Sequence, residues 1–183
     1  MSALDIKNNL LGVCDQMYLF EPGDDTTVCV LKAVKPKKVK LFTGPPTHKE
    51  DDAKVVHELM NNADIRIVSG GTTSQIVARE LGVEVKSSTE IYDKEVPPIA
   101  YIQGVDLVTE GVLTLSKTID RLKSLSKSLD SDIFKAKDGA SQMAKLLYSA
   151  SHIKLLVGRS LNIANAESSF QRDLELRLHV VGE

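Results

Sequence analysis

Tryptophan is absent from the 183 residues, and phenylalanine and tyrosine occur only four times each. A core built from this composition must be aliphatic. Cysteine occurs twice, at Cys14 and Cys29, which is too few for a disulfide framework or a cysteine metal site, so both read as free thiols. Charge of one sign is lacking as well: 23 Lys and Arg against 25 Asp and Glu leave a formal net charge of −2. The lysines at 35, 37 and 38 form only a short cluster beside Pro36, so no basic field faces a phosphodiester backbone and nucleic acid is not an expected partner. No apolar run approaches the roughly 20 residues that a bilayer demands. The start, Met1-Ser2-Ala3-Leu4-Asp5, has neither a basic nor an apolar leader region, so no membrane contact is expected and the chain reads as cytoplasmic.

What is present suits a globular protein, with 42% hydrophobic and 26% charged residues in a length that holds one domain, or one domain and a fragment of another. Residues 4–17 carry apolar side chains mostly at helical spacing, Glu21-Pro22-Gly23-Asp24-Asp25 breaks the pattern, and residues 26–34 read as a β-branched strand. One helix and one strand cannot bury each other, so residues 1–35 read as the incomplete end of a domain. Lys35-Pro36-Lys37-Lys38 marks a boundary.

Beyond it, strands and helices alternate. Residues 39–43, 65–68, 83–85 and 153–157 read as strands. Helices are expected around Val55, Val56 and Leu59, around Ile76, Val77 and Leu81 up to Gly82, from Val108 onward through Val112, Leu115, Ile119 and Leu122, and around Met143 and Leu147. Residues 173–181 fit helix or strand and end without a stop signal. The expected fold is α/β, a mostly parallel sheet flanked by helices over residues 36–183, preceded by the helix–strand remnant. In such sheets ligands bind at the carboxyl ends of the strands.

The unusual residues collect at those ends. Ser69-Gly70-Gly71-Thr72-Thr73 joins a strand to a helix, so backbone amides and a positive dipole end face outward at Gly70, Gly71, Thr72 and Thr73. This suits a phosphate or carboxylate, although a plain turn with Thr72 or Thr73 as N-cap accounts for the same residues. Gly104 to Gly111 precedes another helix, where Thr109 can cap and where Asp106 and Glu110 are candidates to bind a cation or ligand hydroxyls, or to act as acid and base. Gly158-Arg159 follows the strand of residues 153–157, and Arg159 suits bidentate capture of an anion or a surface ion pair. Gly44-Pro45-Pro46 ends the first strand of this region. His48, His57, His152 and His179 lack paired ligand spacing.

The turn Gly23-Asp24-Asp25-Thr26-Thr27, with a helix before it and an apolar segment after it, resembles the end of the metal-dependent protein phosphatase fold in its sporulation stage II protein E branch. By that resemblance Asp24 would be a metal ligand, for Mn or Mg in the complete enzyme. The family's other metal-binding aspartates lie further N-terminal and have no counterpart before Asp24, and one carboxylate cannot hold a two-metal cluster. No metal is therefore expected for this chain alone, and its implied partner is the missing phosphatase region or a separate catalytic chain. Gly44-Pro45-Pro46, Gly70 to Gly82, Pro97-Pro98-Ile99, Gly104 to Gly111 and Gly158-Arg159 resemble the C-terminal extension of some of these phosphatases. The expected function is a catalytically incomplete phosphatase fragment whose extension binds a small phosphorylated ligand. The alternatives are a transferase or hydrolase that uses Asp106 or Glu110, and a docking module for a catalytic chain.

Overall fold

In a computed structural model, which describes residues 3–21, 23–127, 133 and 135–160, the chain divides into two units, Met1–Lys35 and Pro36–Glu183. In the first, helix α1 (Ala3–Met17) follows the apolar spacing, yet none of its residues is buried and Leu10, Val13 and Met17 are exposed. The strand expected over residues 26–34 does not form, and Leu31 is 93% exposed. The physical reason is that β-branched residues favour a pleat only when a neighbouring strand satisfies their N–H and C=O groups. Among the described residues none pairs with this segment.

The second unit begins with β1 (Lys38–Thr43), a 3-10 turn (Lys49–Asp51), α2 (Asp52–Met60), β2 (Ile65–Ser69) and α3 (Gly71–Leu81). It continues with β3 (Lys86–Ser87), β4 (Ala100–Tyr101), β5 (Leu107–Thr109), α4 (Val112–Lys127), α5 (Gly139–Tyr148) and β6 (His152–Val157). One sheet holds all six strands in the order β3-β4-β5-β2-β1-β6. Strands β5, β2, β1 and β6 are mutually parallel, whereas β4 runs antiparallel to both β3 and β5. The sheet is thus mostly parallel, as strands separated by helices require.

Alternation along β1 divides the core into two layers. Phe42 shares one layer with Val68 and Val108 and packs on Val56 and Leu59 of α2 and Val77 of α3. Val39 and Leu41 share the other with Ile67 and Leu107 and pack on Met143 of α5, with Leu115 of α4 alongside. Each strand residue meets the helix layer on its own side because successive side chains point to opposite faces. On the outer strand β6, Ile153 and Leu155 remain half exposed.

Several boundaries differ from the sequence reading, β4 among them, which forms where no strand was expected. Residues 83–85 are no strand, because Gly82 adopts φ 67° and the Val83 N–H turns back to the Ala78 carbonyl at 3.0 Å, a Schellman-type stop that spends that donor on α3. Pairing begins only at Lys86. Gly104 to Gly111, read as a turn before a helix, contains β5 in the sheet interior. The segment 173–181 lies outside the described residues.

A charged cluster ties the sheet to α2. Lys40 is buried in β1 and its Nζ donates to the Glu58 carboxylate at 2.6 Å, to the Glu58 carbonyl at 2.5 Å and to the Asn61 carbonyl at 2.7 Å. Lys154, its register partner on β6, donates to the same carboxylate at 2.8 Å. Glu58 thereby separates two like charges that would otherwise face each other across the strands. The hydrogen bonds from Lys154 and Lys40 lower the Glu58 carboxyl from 4.5 to about 2. A folded-state value below the unfolded one adds stability above pH 4.5, and that stability is lost as the pH falls towards about 2. We therefore expect Glu58→Gln to be less stable than wild type at pH 6 in urea melts, with the gap closing across this acid window. A gap independent of pH would refute the cluster's role.

Candidate functional site

Parallel strands in one register leave the sheet at one edge, so the exits of β5, β2, β1 and β6 fall side by side in that order. At the outer pair the loops touch through backbone. Gly158 donates its N–H to the Thr43 carbonyl at 2.9 Å, and Ser160 donates to the Pro45 carbonyl at 3.1 Å. A Cβ on Gly158 would stand 2.1 Å from the Pro45 carbonyl oxygen. Only glycine fits there, and the tight approach fixes where Gly44-Pro45-Pro46 lies.

At the inner pair the exits of β2 and β5 are locked together. The Gly70 N–H donates to the Thr109 carbonyl at 2.9 Å, and the Ser69 and Thr109 hydroxyls both donate to the Glu110 carbonyl, at 2.9 and 3.0 Å. Gly70 sits at φ 116°, ψ 136°, a conformation reached routinely by glycine alone. It is the N-cap of α3, and no side chain caps that helix: the Ser74 N–H and hydroxyl both return to the Gly70 carbonyl, at 2.9 and 2.8 Å. Thr72 is exposed on the first turn and Thr73 is buried, so neither is the N-cap that the sequence suggested. Thr109 ends β5 and does not cap α4.

Beside the β5 exit lies a cleft of about 210 Å³. It is lined by Gly71, Ser74 and Gln75 of α3, by Thr109 and Glu110 at the end of β5, and by Val85, Ser87 and residues 97–100, which form its wall. Of the residues that the sequence singled out, Gly71 and Glu110 line the cleft and Gly70, Thr72 and Thr73 do not. Sequence reasoning missed Ser74, Gln75 and Ser87, which carry no motif, and it quoted Pro97-Pro98-Ile99 without assigning it a role.

The Glu110 carboxylate is exposed beside the start of α3, with both oxygens 4.0 Å from the point a Cβ on Gly71 would occupy. A second negative charge at about 4 Å costs roughly 1–4 kcal/mol between water-like and surface dielectrics. An exposed helix N-terminus returns only about 0.3–1 kcal/mol. An anion brought that close to Glu110 would meet a repulsion that at least matches the attraction of the dipole. A ligand that offers hydroxyl or amine donors to Glu110, or that brings a cation with its phosphate, satisfies both groups.

The other candidates stand apart from the cleft. Asp106 precedes β5, at the opposite edge from Glu110, and accepts the Arg66 N–H at 2.7 Å, so its carboxylate serves the strand entry. The two acidic residues that the sequence grouped are separated by the length of β5. Arg159 is exposed after β6, two strands away from β2, and does not line the cleft. Asp24 is exposed and accepts the Asp25 N–H at 2.8 Å. Among the described residues no group of three His, Cys, Asp or Glu is placed to hold a metal ion. Also among them, no helix is long and apolar enough to cross a membrane.

Comparison of the chain with protein-family models, with curated proteins and with solved structures gives no match. The site is therefore read from its own geometry. The closest backbone approach yields a direct test: Gly158→Ala should lower unfolding free energy by about 1–3 kcal/mol in denaturant melts, as overpacking against backbone does. Unchanged stability would mean that the β1 and β6 exit loops do not meet as described.

Proposed function

We propose that residues 36–160 form a ligand-sensing domain that takes a small molecule with hydroxyl groups and a phosphate, the hydroxyls facing Glu110 and the phosphate the amides at the start of α3. The observation that carries this reading is the cleft between the start of α3, the β5 exit and residues 97–100, where backbone donors, an acceptor and an apolar wall meet. A divalent cation strengthens such binding by bridging Glu110 and the phosphate, since Mg²⁺ is commonly held by one or two carboxylates together with substrate oxygens.

The domain's setting is the second part of the proposal. We place it in, or beside, a metal-dependent serine/threonine phosphatase of signalling type. The support is the resemblance around Asp24, together with the open apolar surface of the N-terminal unit at Leu10, Val13, Met17 and Leu31. Exposed side chains of this kind on a helix without buried residues suit completion by another chain or segment. On this reading the unit does not hydrolyse phosphoproteins unaided, and Asp24 acts only with aspartates supplied from outside it.

Thermal-shift measurements with sugar phosphates and nucleotides, each with and without Mg²⁺, beside inorganic phosphate and free sugars, test the ligand reading. At 100 times its Kd a ligand adds about 2.7 kcal/mol of stability, a readily measured rise in Tm. The expected pattern is a response to hydroxylated phosphates, larger with Mg²⁺, and none to phosphate alone. Glu110→Gln should abolish the Mg²⁺ dependence. A flat response across the panel would overturn the reading.

A further inference from the structure

The apolar wall of the cleft is the end of the loop joining β3 to β4, residues 88–99, in which Pro97, Pro98 and Ile99 face the cleft. Its base is closed by the Ser88 N–H on the Ile99 carbonyl at 2.9 Å, and Val96 is its buried anchor. From outside the cleft, two side chains of α4 reach it: Lys117 pairs with Glu95 at the loop surface, and Arg121 alone also joins it to α5. Arg121 donates through Nη2 to the Asp93 carboxylate at 2.8 Å and through Nη1 to the Asp138 carboxylate.

Asp138 is the N-cap of α5 and accepts the Ser141 N–H at 3.0 Å. Burial pushes this carboxyl up, but the bonds from Ser141 and Arg121 outweigh burial and hold it below its ordinary value. The next residue, Gly139, presses on the back of the site. A Cβ there would lie 3.1 Å from Ile99 Cγ2 and 3.2 Å from Thr109 Cγ2, both on cleft residues. One guanidinium thus grips the wall twice, in its loop through Asp93 and from behind through the α5 terminus. A planar fork can serve two carboxylates from two nitrogens at once, which a single ammonium matches poorly.

We propose that Arg121 is a positioning residue for the cleft, and that the Asp93–Arg121–Asp138 bridge sets how closely the 88–99 wall stands to the α3 terminus. No ligand atom need touch it. Neutralising Arg121 leaves two carboxylates without their shared cation, and the exposed loop end has the smaller packing to hold it in place. That the wall belongs to a ligand site rests on the function proposed above, whereas its attachment is measurable without any ligand.

Hydrogen exchange on the full chain tests the bridge with Asp93→Asn, Arg121→Gln and Arg121→Lys. Asp93→Asn should speed exchange in residues 88–99 about tenfold and leave the amides of α5 and β2 unchanged. Arg121→Gln should speed both the loop and the first turn of α5. Arg121→Lys should restore one attachment and not both, and adding Asp93→Asn to Arg121→Gln should change the loop no further. An unaltered loop in Asp93→Asn would overturn the proposal, as would a uniform rise in Arg121→Gln that includes β2. A silent thermal-shift panel alongside loop-specific exchange would count against the ligand and leave the positioning role standing.

Discussion

Strand β1 pairs in parallel on both sides, with β2 from Val39 to Thr43 and with β6 from Lys38 to Thr43, and the other described elements of the second unit are arranged around that double ladder. A central parallel strand requires both its neighbours to arrive by crossovers, so the intervening helices must lie on the sheet faces. It also forces every exit onto one edge. The close approach of Gly158 to Pro45 and the lock of Gly70 to Thr109 are both consequences of strands ending together.

Electrostatics adjusts this frame where the ladder alone leaves groups unsatisfied. Lys40 and Arg66 rise from neighbouring strands to the carbonyls that end α2, Lys40 on Glu58 and Asn61 and Arg66 on Met60 at 3.2 Å. Asp52, buried at the start of α2, pairs with Arg79 of α3 at 2.5 Å and joins the two helices that cover one face. On the other face Arg121 joins α4 to α5 and to the loop beside the cleft. Glu110 is the exception. It adds negative charge beside the α3 terminus and stays exposed.

Much of this order was legible in the residues. The periods of three to four around Val56, Val77, Leu115 and Met143 each marked a real helix, and the apolar runs at Val39, Ile67 and Leu155 each marked a real strand. Strand β5 escaped because Leu107-Val108-Thr109 is too short to show a period, and its place depends on β2 being beside it. Residues 26–34 misled for the opposite reason, since their pattern is good and their pairing partner is lacking among the described residues. The glycines at 44, 70 and 158 pointed correctly to one edge. Which of the edge residues share a cleft was not legible, because Asp106 and Glu110 differ by one strand length and Arg159 by one intervening strand. Arg121 carried no local signal at all: its two partners lie 28 residues before it and 17 after it.

The central claim is that the cleft at the α3 start and the β5 exit, and not the whole edge, receives the proposed ligand. Nuclear magnetic resonance titration of the isotope-labelled chain with a sugar phosphate and Mg²⁺ addresses it residue by residue. The account predicts shifts confined to Gly71, Ser74, Gln75, Glu110 and the 97–100 wall, with Asp106 and Arg159 silent. Shifts centred on Gly44 and Arg159, or none at saturating ligand, would contradict it.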